Sequence, residues 1–185
     1  YGADLPTLAW MENLPVEQVV EMLDKGVNSP VTSSCGRLFD AVAALTGQWL
    51  EAGYEAQAAI EMMALTSAAE TEAASPFDLE LKNGDTFVLA VTPVIRGVVD
   101  ALAEGIEPSV SSARFHRTLC EMFLAAAREA ARLTGLKDVV LAGGVFQNEI
   151  LLGETRRLLE QDGFRVHRPL KAPANDGAVA LGQAT

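Results

Sequence analysis

Three short polar clusters contain the residue types in this chain that could bind a ligand or do chemistry. They are residues 32–34 with Arg37 and Asp40, residues 143–144 with Gln147 and Asn148, and residues 175–177. Two of them stand where a strand or loop is predicted to enter a helix, and open α/β sheets bind ligands at such loops. Two converging loops of this kind indicate a nucleotide, with one loop holding the base and sugar and the other a phosphate or metal.

Individual side chains in these clusters suit different parts of such a ligand. Asp40 could accept hydrogen bonds from ribose hydroxyls, and Asn148 could anchor the base or the sugar. Asp176 could ligate a hard metal ion, because carboxylate oxygens suit such ions. Structural alternatives stay open: Asp176 or Asn175 could cap a helix. Arg37 and Asp40 could form an exposed i,i+3 ion pair worth about a few tenths of a kcal/mol.

The glycine pair Gly143-Gly144 lies between a predicted strand and a predicted helix. The apolar run 139–142 predicts a short buried strand, and residues 150–159 follow a helical pattern. Glycine adopts positive φ without a steric clash, and a helix N-terminus presents unpaired N–H groups and a positive dipole end. The pattern predicts a ligand cradle, although a purely structural turn would use the same residues.

The histidines and cysteines give weaker signals. His116 falls inside a helical pattern and His167 points out of a predicted strand, so we expect structural or surface roles for both. Cys35 and Cys120 lie in helical patterns and are expected to be small core residues rather than a disulfide. A nucleophile built on Cys35 would need a third, orienting group that the sequence does not supply.

The rest of the pattern predicts the elements that position these clusters. A turn or short helix is expected over 5–12, a β-hairpin over 77–91 that turns at Asn83-Gly84, and a second strand over 164–167. Helices are predicted over 15–25, over 54–72, over 93–103 and over 113–133, the last with a cap within 109–112. A further helix is predicted to start at a cap, Ser33 or Ser34, and to run to 46. Two more are predicted after the glycine pair, one from 150 onward and a short one that ends at Thr185. This order indicates an α/β fold with a parallel or mixed sheet. A shallow space is expected over the helix face shared by Arg37, Asp40, Ala41 and Ala44.

Composition excludes several classes of protein. The 185 residues, of which 49% are hydrophobic, suffice for one domain with a filled core. The net charge of −11 and the lack of a lysine or arginine cluster argue against a nucleic-acid surface. The sequence has neither a membrane-length apolar run nor a signal-peptide pattern, so we expect a soluble protein of the reducing cytoplasm without a membrane partner.

Five blocks of sequence together resemble a known family. They are NSPVTSSCGRLFDAVAALTG, YEAQAAIEMMAL, ARFHRTL, LAGGVFQNEILL and PANDGAVALGQA. In this order they resemble the C-terminal, Kae-like domain of HypF, a family of hydrogenase-maturation carbamoyltransferases. The region is also similar to tRNA threonylcarbamoyltransferases and antibiotic carbamoyltransferases, which have an actin/Hsp70-like (ASKHA) fold. The resemblance implies that residues 1–185 are the C-terminal part of one such domain. Residues 1–108 would be mainly helical with a hairpin, and residues 109–185 an adenosine-binding α/β part.

The resemblance also implies an activity. Proteins of this family form carbamoyl-adenylate from ATP and carbamoyl phosphate, and the Kae-like domain transfers the carbamoyl group to the C-terminal cysteine of HypE. The product supplies the cyanide ligands of nickel–iron hydrogenase. Arg37 and Asp40 would then be the catalytic residues, and Asp176 would ligate a divalent metal, zinc or iron. The implied nucleotide-binding residues are Ser33, Ser34, Asp40, Gly143, Gly144, Asn148 and Gly177.

The chain departs from this family at the metal. The family's two further metal ligands are histidines with a histidine-x-x-x-histidine spacing on an upstream helix, whereas His116 and His167 lie far apart. One carboxylate without those histidines makes a weak metal site. We therefore expect this chain to fold but not to catalyse by itself, and its partners to be HypE and the remainder of a HypF chain.

Overall fold

The computed structural model describes residues 6–82, 84 and 86–184. Its helices are α1 (Pro6–Met11), α2 (Val16–Asp24), α3 (Cys35–Leu45), α4 (Gln57–Ala64), α5 (Ala68–Ala73), α6 (Thr92–Ala103), α7 (Pro108–Thr134), α8 (Glu149–Gln161) and α9 (Val179–Gln183). Its strands are β1 (Glu80–Lys82), β2 (Val88–Ala90), β3 (Asp138–Val140) and β4 (Arg165–His167). Short 3₁₀ turns at Gly144–Gln147 and Asp176–Ala178 precede α8 and α9. The predicted α/β class is confirmed, and the ASKHA lobe and the division at residue 108 stay predictions.

The strands form two small sheets. β1 and β2 pair antiparallel with Leu81 opposite Leu89, which confirms the hairpin. Its predicted turn residue Asn83 lies outside the described residues, as do residue 5 and Thr185. β3 and β4 pair parallel, as expected from the intervening helix α8. The prediction that β3 is buried is wrong: Val140 is 65% exposed, because within the described residues β3 pairs with β4 alone.

The longest helix, α7, runs through the centre of the fold and packs against α4, α5, α6 and α8. It begins at Pro108 rather than at Ala113, because proline lacks an N–H and its fixed φ suits the first helical position. The serines at 109–112 therefore lie inside the helix and do not cap it. Gly135, with φ of 75°, ends the helix as predicted.

The single helix predicted over 54–72 is wrong, because the structure divides this stretch into α4 and α5. Ser67 caps α5: its side chain accepts from the Glu70 N–H, and the Glu70 carboxylate accepts from the Ser67 N–H at 2.8 Å. Such a capping box satisfies donors at a helix start and so favours a new helix there. The break lets α4 pack against α3 while α5 packs against α7 and α8.

The core is built around two aromatic rings on different helices. Phe39 of α3 and Phe115 of α7 are fully buried, with ring centroids 4.9 Å apart in an edge-to-face arrangement. Apolar residues of α4, α6 and α8 complete the cluster. The same core includes Cys120, and both cysteines are free thiols, which agrees with the prediction. In the part of the chain that the structure describes, no helix is long and apolar enough to cross a membrane.

Candidate functional site

A cavity of about 690 Å³ lies where α3, α4, the 3₁₀ turn before α8 and the segment before α9 meet. Each of the three polar clusters identified in the sequence contributes residues to its lining. The polar lining residues from those clusters include Ser34, Arg37, Asp40, Gln147, Asn148 and Asp176. Residues more than a hundred positions apart in the chain are thus brought to one site, which supports the expectation that the clusters converge.

The first wall of the cavity is the N-terminus of α3. Ser34 is the N-cap, since its Oγ accepts a hydrogen bond from the N–H of Arg37 at 3.3 Å. Thr32 Oγ1 in turn accepts from the N–H of Ser34 at 3.1 Å. Cys35 and Gly36 line the cavity, and N–H groups in a first helical turn have no intrahelical acceptor. The wall therefore offers donors and the positive end of a helix dipole.

One turn further along α3, Arg37 and Asp40 form an ion pair of 3.0 Å between Nη2 and Oδ2. Both side chains are solvent-accessible, with 66% and 36% of their side-chain surface exposed. They also line a second cavity of about 640 Å³ together with Ala41 and Ala44, as the helical spacing predicts. The pair thus separates two adjoining spaces and faces both.

The loop between α3 and α4 is fixed by one carboxylate. Glu61 accepts hydrogen bonds from Gln57 Nε2 at 2.7 Å, from Trp49 Nε1 and from the Tyr54 hydroxyl at 3.3 Å. The bonds from Gln57 and Trp49 lower the pKa of Glu61 below its usual value, so the group is ionised at neutral pH. This anchor holds the loop that carries Glu55 and Ala56 into the lining of both cavities.

The glycine pair forms the second wall. Gly143 has φ of 105°, a conformation that side chains with a Cβ rarely adopt, and its N–H donates to the carbonyl of Ala174 at 2.7 Å. This bond ties the turn before α8 to the segment before α9. Gly144 has ordinary φ and lines the cavity, and a Cβ there would meet only the Asn175 Cβ, 4.0 Å away.

Asn148 is the N-cap of α8 and lies at the back of the cavity. Its Oδ1 accepts from the N–H of Leu151 at 2.9 Å, and its Nδ2 lies 2.9 Å from Nε2 of His116. His116 is fully buried, and burial lowers its pKa, so the imidazole is neutral at pH 7. His116 therefore has a structural role, as predicted, and its ring contacts Asn148, one of the predicted ligand-binding residues.

The third wall is the turn before α9. Asn175 is its cap, with Oδ1 accepting from the N–H of Gly177 at 3.1 Å, which leaves the Asp176 carboxylate beside the cavity. Among the described residues, no group of three histidine, cysteine or acidic side chains is close enough to hold a metal ion. Asp176 belongs to no such group, so the described residues do not fit a metal centre and no chemical step is derived through one.

The structure places the predicted site residues in two groups. Ser34, Arg37, Asp40, Gly144, Asn148 and Asp176 line the cavity. The remaining three lie outside the lining: Ser33 precedes the cap of α3, Gly143 sets the turn before α8, and Gly177 donates to Asn175, the cap of the 3₁₀ turn before α9.

Sequence reasoning missed the apolar wall, which is built from α3 and α4. It includes Phe39, Ala59, Ile60 and Met63. The alternation of alanine and larger apolar residues in this stretch marked a helix, but not which of its faces would be open to a ligand. An apolar face opposite polar helix ends suits a ligand with a flat ring and a charged end.

The chain is similar to known proteins both in sequence and in fold. A family model described as carbamoyltransferase, Kae1-like domain, second subdomain, matches residues 4–183. Carbamoyltransferase HypF of Rhizobium leguminosarum bv. viciae is 37% identical over 182 residues, which cover 97% of this chain and 23% of that protein. The chain thus spans about a quarter of the length of this relative.

Solved structures give the same result. A crystal structure described as full-length HypF in the phosphate- and nucleotide-bound form is 34% identical, with a TM-score of 0.88 over 96% of this chain and 23% of that one. The structure of HypF from T. kodakarensis is 27% identical, with a TM-score of 0.72 over 91% of this chain. Most of the chain therefore has a structural counterpart in these proteins.

Proposed function

Because this chain belongs to the Kae1-like carbamoyltransferase family as its second subdomain, we propose that it supplies the nucleotide-binding half of a HypF-type carbamoyltransferase in hydrogenase maturation. The nucleotide would be ATP or carbamoyl-adenylate made from ATP and carbamoyl phosphate. The acceptor would be the C-terminal cysteine of HypE, in the cytoplasm, and the rest of a HypF chain would complete the site.

The observation that carries this proposal is the single cavity formed by the three polar clusters. Its volume suits a nucleoside with a charged substituent. The apolar wall of α3 and α4 would receive the base, and Asp40 and Asn148 would bind sugar or base edges. The N-terminus of α3 and the Gly144–Gln147 turn would face the phosphate and carbamoyl end, since helix starts favour anions.

In the proposed reaction the acceptor thiolate attacks the carbamoyl carbon of carbamoyl-adenylate. A carbon–sulfur bond forms, the bond from that carbon to the phosphate oxygen breaks, and AMP leaves with the electron pair. The contribution of this chain would be positioning and electrostatics. Arg37, paired with Asp40 at the boundary of both cavities, would stabilise negative charge that develops at the carbamoyl or phosphate oxygens.

A second candidate is a nucleotide-binding or structural lobe that has no catalysis of its own. It is favoured by the finding that, among the described residues, Asp176 belongs to no group of three side chains able to hold a metal ion. Under the main proposal too, we expect the 185-residue chain alone to be inactive. A zinc or iron ion bound by Asp176 stays a prediction for a longer chain that supplies the missing histidines.

The test is calorimetric titration of ATP, and of a non-hydrolysable carbamoyl-adenylate mimic, into the 185-residue chain. Saturable binding that is lost in Asn148→Ala supports a self-contained nucleotide site. If a folded chain, checked by circular dichroism, binds neither ligand, the claim that this half holds the nucleotide by itself is wrong. Carbamoylation of a peptide with the C-terminal sequence of HypE, assayed in a longer chain that contains these 185 residues and the upstream histidines and carries Arg37→Ala or Asp40→Ala, separates the catalytic role from binding alone.

A further inference from the structure

A chain of hydrogen bonds crosses the apolar core directly behind the cavity. The Ser112 hydroxyl donates to the carbonyl of Met62 at 2.6 Å, and Nδ1 of His116 lies 2.8 Å from the carbonyl of Ser112. Nε2 of His116 then meets the Asn148 amide, which accepts from the N–H of Leu151. The chain of bonds thus links α4 to the N-terminus of α8 through α7.

The partners at the two ends determine the direction of every bond. A carbonyl can only accept, so Nδ1 of His116 carries the proton and Nε2 is left as an acceptor. The N–H of Leu151 needs an acceptor at the start of α8, so the oxygen of the Asn148 amide faces it and Nδ2 faces Nε2 of His116. Only a neutral imidazole satisfies this arrangement, and in this pattern the Asn148 amide has one orientation.

The surroundings of His116 leave its ring little freedom. It is 0% exposed, and its ring centroid lies 5.3 Å from that of Phe39, which lines the cavity. Capping of α8 requires only the oxygen of Asn148, so an apolar side chain of similar size at position 116 would occupy the core without disturbing that cap. Burying an imidazole instead of an apolar side chain costs free energy, because the polar ring loses its contacts with water. In return the ring accepts a hydrogen bond from the Asn148 amide at the cavity wall.

We propose that His116 is a positioning residue for the nucleotide site: it fixes the Asn148 amide so that its second N–H and its edge are presented to the cavity in one orientation. This inference rests on the proposed nucleotide site but concerns a residue that contacts no ligand. Without the acceptor at Nε2, only the bond from the Leu151 N–H would hold the amide, so the direction of its NH₂ group would vary more widely and a ligand would meet a less ordered group. Ordering the amide in advance favours binding, because the entropy is lost before the ligand arrives.

Three variants test the role. His116→Phe keeps an aromatic ring, of slightly larger size, and removes the acceptor. His116→Gln restores a carbonyl acceptor, and Phe115→Leu is a matched change at an equally buried neighbour outside the hydrogen-bond chain. We expect His116→Phe to weaken ATP binding to the 185-residue chain by about fivefold to tenfold, the equivalent of one lost hydrogen bond. His116→Gln should stay within about twofold of wild type, and Phe115→Leu should lower stability without changing affinity.

Nuclear magnetic resonance of the same proteins gives a second readout that needs no nucleotide. In the wild type, the His116 ring nitrogens should show the Nδ1-protonated tautomer, and the two Asn148 side-chain amide protons should be sharp and distinct. His116→Phe should broaden or merge those amide signals while Leu151 keeps its exchange protection. Unchanged Asn148 signals in His116→Phe, or equal ATP affinity in all the variants, would overturn the positioning role. If the wild type binds no ATP, the nucleotide proposal is wrong, and the amide signals still decide what His116 does.

Discussion

The guanidinium of Arg37 lies 3.0 Å from the carboxylate of Asp40, on the ridge of α3 that separates two cavities. An exposed pair of this spacing adds little to the stability of a helix. Its position between the two cavities is the basis for its proposed role in binding. One cavity would hold the nucleotide, and the other lies on the side from which an acceptor group could approach.

Replacing either member of this pair should affect binding far more than stability. We expect Asp40→Ala to weaken ATP binding by about tenfold, the equivalent of one hydrogen bond to a charged group. The denaturant midpoint should hardly move, because an exposed i,i+3 pair contributes about a few tenths of a kcal/mol. Titration calorimetry and urea unfolding of the same samples measure the two effects. The matched control is Glu160→Ala, which breaks an exposed pair with Arg156 on α8 away from the cavity; loss of affinity there too would contradict a local role.

The two adjacent glycines should respond differently to alanine. Gly143→Ala places a Cβ on a residue with φ of 105° and should destabilise the fold by about 1–3 kcal/mol. Gly144→Ala meets no strained φ and no close atom, so stability should stay near wild type, while its methyl group enters the cavity lining and weakens ATP binding. Urea unfolding and calorimetry separate the two. Equal losses of stability in both variants would show that the turn is only structural.

Cys35 offers a chemical probe of the cavity. It lines the cavity at the start of α3, and burial raises the pKa of its thiol to about 11. Because the thiolate is the reactive form, alkylation by iodoacetamide should be slow at neutral pH and should accelerate up to about pH 11. Saturating ATP should slow it further by covering the thiol. Cys120, fully buried with a thiol pKa raised to about 12 by burial, is the internal control and should react only on unfolding.

Mass spectrometry of the alkylated chain distinguishes the two thiols. If ATP leaves the rate at Cys35 unchanged while calorimetry shows binding, the nucleotide lies elsewhere in the protein. That result would remove the main support for the cavity as the site.

The sequence was informative where a structural feature depends on neighbouring residues. The Ser34 cap, the Arg37–Asp40 pair and the cavity over Ala41 and Ala44 are predicted from residues close together in the sequence, and the structure contains all of them. The capping box that separates α4 from α5 was equally local. The sequence contains its pattern, Ser67 followed by Glu70, but the helical periodicity across 54–72 is a stronger signal and predicts one continuous helix. The family resemblance, which rests on five blocks in order, is confirmed by the matching family model.

Features that depend on tertiary packing could not be obtained in this way. Hydrophobicity suggested a buried β3, but burial of a strand depends on which elements cover it, and Val140 is largely exposed. The contact between His116 and Asn148 joins residues 32 positions apart, on different helices. The sequence predicts a structural role for His116 and a ligand-binding role for Asn148, with no link between them. Only the packing of α7 against α8 brings the two side chains together.

A cluster of ion pairs where α7 contacts α8 should contribute to the stability of the fold. Glu154, 6% exposed at its side chain, accepts from Arg117 at 2.5 Å and from Arg157 at 2.6 Å. Glu154→Ala should lower the free energy of unfolding by about 1–3 kcal/mol, because it removes the buried carboxylate that both guanidinium groups share. Arg117 then keeps only Glu121 at 2.6 Å, and Arg157 keeps Glu72 at 3.4 Å. The exposed Arg156–Glu160 pair on the same helix provides the comparison, and Arg156→Ala should change stability by less than about 1 kcal/mol. Urea unfolding measures both changes. If Glu154→Ala lowers the free energy of unfolding as little as Arg156→Ala does, the buried cluster contributes no more to stability than the exposed pair.

His116 should make the fold sensitive to mild acid. Burial lowers its pKa in the folded protein below the ordinary value of 6.5, and the hydrogen bond to the Ser112 carbonyl only partly opposes this shift. As pH falls below 6.5, the unfolded chain takes up a proton that the folded chain does not yet bind, so the free energy of unfolding decreases until the folded pKa is passed. Urea unfolding across this range should therefore show stability rising with pH in the wild type. His116→Gln should remove that part of the slope, whereas His167→Gln, at the half-exposed histidine on β4, should retain it. Identical slopes in the wild type and in His116→Gln would mean that the imidazole is not held neutral between Ser112 and Asn148, and the positioning role would lose its basis.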